Sequence, residues 1–425
     1  MSSTDESTAH DDGAVAETGL ASPTTFRGLV AKSGPAFLAG GLNIGSATVT
    51  NSVLLAAATG FMFGWVFIPA VLATYVATVV CVRITLVSQL DPIDAMRRHV
   101  HPALAVINGV AILIVNLVFH TINVVLAGLA LNALLPFLSI RWWMAGAILI
   151  AAALALLPGK IKVANNVLKY LIFALTLAYL LSLFVVPVDW GAFFTQTFTF
   201  TLPSDSAEVL LFTAVLGSAL AVNVPTIQAY ASRSSGYGTK TLKLMGFETG
   251  LTNMLLLVVQ FAVLIVVAST LFPAGIQVTS ALEAGAALEP LAGGFATQLF
   301  ALGLFGACIT TLAVQTQVAG YVVSDLLKWD RDIAAPRFKV VQAIMLAVAL
   351  MVPILDLNPF QWTQWGAAFN STFVPIVIAT WWYLANRTKV MGRFRLNGWM
   401  NALVLIALVI ATAAAVRFWY IQLVG

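Results

Sequence analysis

Eleven stretches of this chain are apolar for long enough to cross a lipid bilayer: 33–60, 62–89, 103–134, 142–158, 166–187, 207–231, 245–272, 296–327, 338–356, 359–385 and 397–420. A helical crossing needs roughly 20 such residues. In hydrocarbon every backbone polar group must find its partner inside the protein, which leaves helices or closed barrels. Runs of this length specify helices, so the chain reads as an all-α membrane protein. Composition agrees. Of the 425 residues 60% are hydrophobic and 9% charged, and the mean hydropathy is +0.96. A soluble domain carries about a quarter charged residues.

The basic residues test the number of crossings. With the N-terminus inside, nineteen of the 21 Lys and Arg residues fall in inside segments, and only Arg141 and Arg417 fall outside. Inside segments are expected to be Lys/Arg-rich, and a missed crossing would scramble this alternation. The expected topology has a cytoplasmic N-terminus and an outside C-terminus in a plasma (inner) membrane. Residues 1–28 are polar and acidic, lack the basic start and apolar core of a signal peptide, and read as a disordered cytoplasmic tail. Residues 29–425 form a single transmembrane domain. Cys81 and Cys308 lie in apolar runs and read as small buried residues, not a disulfide or metal pair. No basic run with interleaved aromatics points to nucleic acid. No phosphate-binding glycine loop and no nucleophile with a base in reach point to an enzyme, and no cofactor is expected. The bilayer is the expected partner, together with a small-molecule or ionic substrate. Nothing in the sequence sets an oligomeric state.

Two crossings contain weak points. "GGLNIGSATVTNS", Gly40 to Ser52, places three glycines and a hydroxyl-rich run inside the first. "GSALAVNVPTIQAY", Gly217 to Tyr230, places Pro225 inside the sixth, where it removes a donor and disfavours helix at Val224. Crossings one to five start inside and six to ten start outside. Two five-helix units of opposite orientation, each opening with a broken helix, are the pattern of an inverted-repeat secondary transporter. Repeat one is expected over about 33–187, repeat two over about 207–385, and an extra helix over 397–420. Unwound backbone at membrane depth is tolerated where it lines a cavity or packs in protein. Both breaks are therefore expected to present carbonyls and hydroxyls to a substrate.

The same segments carry a family resemblance. "SGPAFLAGGLNIG" is similar to the start of the first helix of the Nramp family of divalent metal transporters, and "VLGSALAVNVPTIQAY" falls at that family's sixth-helix metal motif. "LFGACITTLAVQTQVAGYVVSDLL" resembles its eighth helix, and "FVPIVIATWWYLANRTKVMGRFRLNGWMN" its tenth helix and the following loop. The resemblance runs from about Lys32 to Asn401. It implies a LeuT-type fold of eleven helices, with helices one and six broken, and proton-linked import of manganese or iron. The family motifs themselves differ here. The first-helix Asp-Pro-Gly-Asn is replaced by Gly45-Ser46-Ala47-Thr48, and the sixth-helix Met-Pro-His by Ala221-Val222-Asn223. The third-helix acids of the proton path have no counterpart; that helix reads "VNLVFHTINVV", with His120 and Asn123. The family's metal ligands and proton acceptors are therefore not carried over.

What remains at the breaks is neutral. The expected substrate-binding residues are Asn43, Gly45, Ser46, Thr48, Thr50 and Asn51 from the first break, and Ala221, Asn223, Thr226 and Gln228 from the second. Gln315, Gln317, Gln364 and Asn370 are candidates from the eighth and tenth crossings. Neutral dipoles alone hold a bare divalent ion poorly, but they suit one that keeps much of its water, as magnesium does. They equally suit a small polar organic solute of amino acid or carboxylate type. A passive channel or uniporter is a third reading, because it needs no titratable coupling group. His120 is the ionisable side chain placed near mid-membrane. It reads as a neutral imidazole bonded to backbone or to Asn123, with proton coupling as the alternative. Glu248 reads as an ion-pair candidate for Lys240 or Lys243, Glu208 and Asp325 as span-end groups facing water, and Asn116 and Asn253 as interhelical hydrogen bonders.

Overall fold

The computed structural model describes residues 22–23, 25–36, 45–157, 162–330, 332–355 and 357–424. The acidic tail up to residue 21, and Asn43 with most of the first glycine-rich stretch, lie outside the described residues. The described chain is helical, with no strand among the described residues. Eight helices are long and apolar enough to cross a membrane, and Ile140–Leu156 and Tyr170–Ser182 are shorter apolar helices.

The helices run as follows. A short α1, Phe26–Lys32, precedes α2, Ser46–Thr59. Then come α3, Phe67–Ser88, the amphipathic α4, Pro92–His99, and the long α5, Pro102–Leu134. Next are α6, Ile140–Leu156, and α7, Lys162–Ser182. The sixth crossing is split into α8, Ser206–Ala219, and α9, Asn223–Ser234. The chain continues with α10, Leu242–Thr270, α11, Ala296–Leu326, and α12, Pro336–Ala349. It ends with α13, Pro359–Asn370, α14, Val374–Asn386, and α15, Gly398–Val424.

Both expected weak points are helix boundaries. At the first, Gly45 is extended (φ −77°, ψ 173°) and α2 starts at Ser46. At the second the interruption lies over residues 220–222, just upstream of where Pro225 placed it. Pro225 instead occupies the first turn of α9. There its missing N–H costs nothing, because the first turn of a helix has no intrahelical acceptor for it. A further interruption separates α13 from α14 within what reads from the sequence as one crossing, 359–385. Ser371, Thr372 and Phe373 donate to carbonyls three residues back, and Pro375 follows in the first turn of α14. The ring removes one ladder bond, and the helix tightens locally instead of unwinding.

Small residues let the helices meet at the centre. The most extensive pairing is α5 with α11. Gly217 shows why a glycine is required: a Cβ there would lie 1.8 Å from the carbonyl oxygen of Ala367, so α8 and α13 touch backbone to backbone. The periphery is apolar. Val340, Ile344 and Val348 on α12, and Leu405, Ile406 and Val409 on α15, stand exposed, as lipid-facing side chains do.

The two ends of the bundle differ. One gathers the basic connections. Ser22 bonds to Lys240, Arg233 to Asp91, Arg97 to the carbonyls of Asp325 and Leu326, and Arg83 to that of Phe394. At the other end Trp65 bonds to Thr201, Thr197 to Phe61, and Arg417 to Pro203.

Candidate functional site

The start of α2 and the α8–α9 break face each other across α5 and α11. Between them lies a cavity of about 20 Å³. A single water needs roughly 10–15 Å³ by this measure, so the space admits one or two water-sized particles. Gly45 to Thr48 form one wall, Ser218 and Ala221 to Val224 the second; Phe119 and Asn123 of α5 and Thr311 and Gln315 of α11 complete it. No charged side chain is among these lining residues.

The wall is a belt of amides and hydroxyls. Ser46 Oγ donates to Asn123 Oδ1 at 2.5 Å, and Asn123 Nδ2 donates to the Phe119 carbonyl at 2.7 Å. Asn223 Nδ2 donates to Asn116 Oδ1 at 3.2 Å, and Asn116 Nδ2 to the Gln315 carbonyl at 2.9 Å. His120 Nδ1 lies 3.2 Å from Gln315 Oε1. These bonds tie α2 and α9 to α5, and α5 to α11. Two wall residues keep an unpartnered buried oxygen, Asn223 Oδ1 and Thr311 Oγ1. A buried acceptor without a partner costs about 1–3 kcal/mol. Both oxygens can accept a hydrogen bond from an occupant of the cavity, and the Thr311 hydroxyl can also donate one.

The carbonyls freed at the second break do not serve the cavity as a group. Gly217 O accepts from Asn370 Nδ2 at 2.7 Å, Ser218 O from Thr48 Oγ1 at 3.5 Å, and Ala219 O from Thr74 Oγ1 at 2.8 Å. Leu220 O lies 3.4 Å from Asn370 Nδ2, and Ala221 O accepts from the Val224 N–H at 3.0 Å. Side chains from α2, α3 and α13 thus cap the end of α8. The expectation that this break turns its carbonyls toward a substrate gives way to a site made of side-chain oxygens, because buried carbonyls take whatever donor packing brings first.

The structure brings Gly45, Ser46, Thr48, Ala221 and Asn223 together on the cavity, with Gln315 opposite. The remaining candidates stand off it. Asn51 reaches toward the Ala214 carbonyl, Thr226 bonds back to Val222, Gln228 donates to Thr249, and Asn370 caps α8. Gln317 and Gln364 are half-buried and not on the wall. Asn123, Ser218 and Thr311 complete the wall without having been singled out for it. One signal was available for Asn123 and Thr311: polar residues on long apolar helices at the depth of the breaks.

Several ionisable residues stand elsewhere than the sequence suggests. His120 is wholly buried, and its partner is Gln315, not Asn123. Glu248 is in no ion pair among the described residues. It is wholly buried and accepts from the Gly34 N–H and from Tyr237. Asp325 does not face water: it is 5% exposed and accepts from Tyr230 Oη at 2.8 Å and the Ile93 N–H at 3.0 Å. Asn116 does bond between helices, whereas Asn253 donates within its own helix to Thr249. Both cysteines are free and buried.

The start of α2 and the α8–α9 break, facing each other at a small polar cavity inside an apolar helical bundle, define an integral membrane protein of the LeuT-type fold. The family profile described as "Natural resistance-associated macrophage protein-like" matches residues 36–420, and the chain belongs to that family, Nramp. Among similar proteins, "Divalent metal cation transporter MntH" of Caldanaerobacter subterraneus subsp. tengcongensis is 23% identical over 55% of each chain. The transporter of the same name from Granulibacter bethesdensis is 25% identical over 58% of this chain and 64% of its own. The chain thus spans between half and two thirds of the length of the curated relatives it matches. Among solved structures, a variant of the Eremococcus coleocola manganese transporter superposes with a TM-score of 0.75 at 15% identity, covering 94% of this chain and 89% of its own. MhsT in complex with L-phenylalanine superposes with a TM-score of 0.58 at 14% identity, over 95% of this chain and all of its own. At these identities the structural likeness shows the fold.

Proposed function

We propose that this protein is a secondary transporter that moves a divalent cation through the cavity between α2 and α9, the ion keeping part of its water. One observation carries this reading: a water-sized, uncharged cavity where the start of α2 meets the α8–α9 break, with two unpartnered oxygens, Asn223 Oδ1 and Thr311 Oγ1, on its wall. Neutral oxygens replace some of an ion's water without the full cost of stripping it, which suits a hard, reluctantly dehydrated cation of the magnesium or manganese class. Family membership and the similarity to divalent metal cation transporters named MntH support the same class. An organic solute of amino acid type has many more heavy atoms than the cavity admits as it stands. That solute is the second reading, favoured by the uncharged wall and by the fold shared with MhsT. The Lys/Arg distribution supports a cytoplasmic end at α1 and α4, and an inner or plasma membrane. Gly45, Ser46, Thr48, Asn123, Ala221, Asn223, Thr311 and Gln315 are the proposed binding residues.

The test is flux into liposomes holding the purified full chain. Manganese and magnesium uptake should appear, with competition between them. A panel of amino acids and small carboxylates run beside them decides the second reading. Uptake of a panel member, with no divalent ion moving or competing, overturns the metal assignment. Uptake that runs only downhill and ignores a protonophore assigns a uniporter.

A further inference from the structure

The connection from α14 to α15 carries Arg387, Lys389, Arg393 and Arg395, and no Asp or Glu occurs anywhere from 357 to 425. Lys389, Arg393 and Arg395 are exposed, and Arg387 is half-buried. None of the four is in an ion pair among the described residues. Elsewhere at the same end of the bundle arginines have acids beside them: Arg97 and Arg98 pair with Asp94, Arg233 with Asp91, and Arg337 with Asp330.

Hydrogen bonds fix this connection in shape. The Leu396 N–H reaches the Ala385 carbonyl at 3.4 Å and closes the loop, and Gly392, at φ +49°, turns the chain back within it. Arg395 Nη1 donates to Thr388 Oγ1 at 3.2 Å, which brings its guanidinium to the residue between Arg387 and Lys389. Arg83 Nε of α3 donates to the Phe394 carbonyl at 2.9 Å, and Trp382 Nε1 and Asn386 Nδ2 both donate to Asn401 Oδ1 at 2.7 Å. Like charges gathered in one closed loop repel, and an anion among them offsets that cost. Aromatic rings flank the loop. Tyr383 is exposed, with the Arg387 guanidinium 5.4 Å above its ring, and Trp399 is exposed as well. Tyr and Trp at the ends of apolar helices sit at headgroup level. From Trp399 an exposed stripe descends α15 through Ala402, Ile406 and Val409, at helical spacing.

We propose that the α14–α15 connection binds the phosphate headgroup of an anionic phospholipid in the leaflet at the basic end of the bundle, through Lys389, Arg393 and Arg395. Guanidinium groups match phosphate oxygens, and clustered Lys and Arg next to a transmembrane helix attract anionic lipid. The stripe below Trp399 gives the acyl chains an apolar track that a soluble anion has no use for. The proposal does not depend on what the central cavity carries.

The test uses the purified full chain in neutral detergent and phosphatidylglycerol labelled on an acyl chain. Binding is read by fluorescence anisotropy, with equally labelled phosphatidylcholine as the neutral reference. A cation near a phosphate surface is worth about five-fold in affinity, so three should favour phosphatidylglycerol by about a hundred-fold at low salt. Raising the salt from about 0.1 to 0.5 M should erase most of that preference. Lys389→Gln, Arg393→Gln and Arg395→Gln combined should bring phosphatidylglycerol down to the level of the reference. Arg98→Gln, Lys328→Gln and Lys339→Gln combined remove the same charge from exposed positions at the same end, and should leave the preference standing. Equal binding of both lipids by the parent overturns the proposal. Equal losses in the two triple variants also overturn it, because they mark a general effect of charge with no site. Inorganic phosphate that displaces the labelled lipid as completely as unlabelled phosphatidylglycerol does, at equal concentration, overturns the lipid assignment.

Discussion

The cavity at the centre and the cluster at the α1 end handle polarity in opposite ways. At the centre every wall group is neutral and two oxygens are left without partners. At the α1 end full charges are buried and engaged. Arg233 pairs with Asp91 at 2.9 Å, Asp325 accepts from Tyr230 and Ile93, Arg97 bridges Asp94 and two carbonyls, and Glu248 grips the N-terminal segment. Charge at this end ties helices and connections together, although Arg233 Nε and Glu248 Oε1 also lack a partner, whereas the open oxygens at the centre are all neutral. The contrast follows from cost. An unpaired buried charge is prohibitive, so a charge resident at an intermittently empty site would need a standing partner. An unpartnered amide or hydroxyl oxygen costs far less and is relieved whenever water or an ion enters.

This contrast predicts that damage at the two regions reads out differently. The largest effect is expected where packing alone decides. Gly217→Ala drives a Cβ into the Ala367 carbonyl, and should lose about 3 kcal/mol or more, visible as aggregated protein on size exclusion. A well-behaved, fully active G217A would show that α8 and α13 are not held at this separation. Asp91→Ala leaves the half-buried Arg233 without its carboxylate and should cost about 1–3 kcal/mol, read as a lowered melting temperature in detergent with or without metal. If instead it melts like the parent and fails only in transport, the charged end belongs to the mechanism and the distinction collapses.

Asn223→Ala and Thr48→Ala should do the reverse. Each is expected to cut divalent uptake by about ten-fold or more while costing about 1 kcal/mol of stability, since each removes one neutral hydrogen bond. Normal uptake in both variants places the substrate elsewhere. The smallest effect is expected at His120. Its imidazole stands behind the wall, with its Nδ1 on Gln315, so His120→Gln should leave the uptake rate within about a factor of two, and its pH profile should be unmoved. A shifted profile would make this imidazole a proton carrier and put a titrating group beside the neutral site.

Much of the architecture was legible before any coordinates. Long apolar runs demand helices, and the Lys/Arg pattern sorts their connections to one end. Gly40, Gly41 and Gly45 announced the first weak point and Pro225 the second, as residues that weaken a helix. The exact position of the second break was not legible, because Pro225 is equally at home in a helix interior that it disrupts and in a first turn that it favours. The interruption after Asn370 was missed for the same reason: one proline in an apolar run does not say whether the helix kinks, tightens or stops. Glu248 and Asp325 were misjudged because both sit near the ends of apolar runs, where sequence suggests water. Their actual neighbours, Gly34 and Tyr230, come from distant parts of the chain.

The sequence by itself determined that this chain is a membrane-embedded helical bundle, that two of its helices are interrupted, and that no carboxylate is available at the interruptions. Hydropathy, proline and glycine act locally, over one or two turns, and can be read along the chain. Only the tertiary structure decided which polar atoms are spent on neighbouring backbone and which are left open. Asn370 and Asn223 look alike as buried amides in a crossing, and each leaves its Oδ1 unpartnered, yet Asn370 Nδ2 caps α8 while Asn223 stands on the cavity wall. That allocation depends on which helix faces which at a distance of a few ångströms, and no local pattern encodes it.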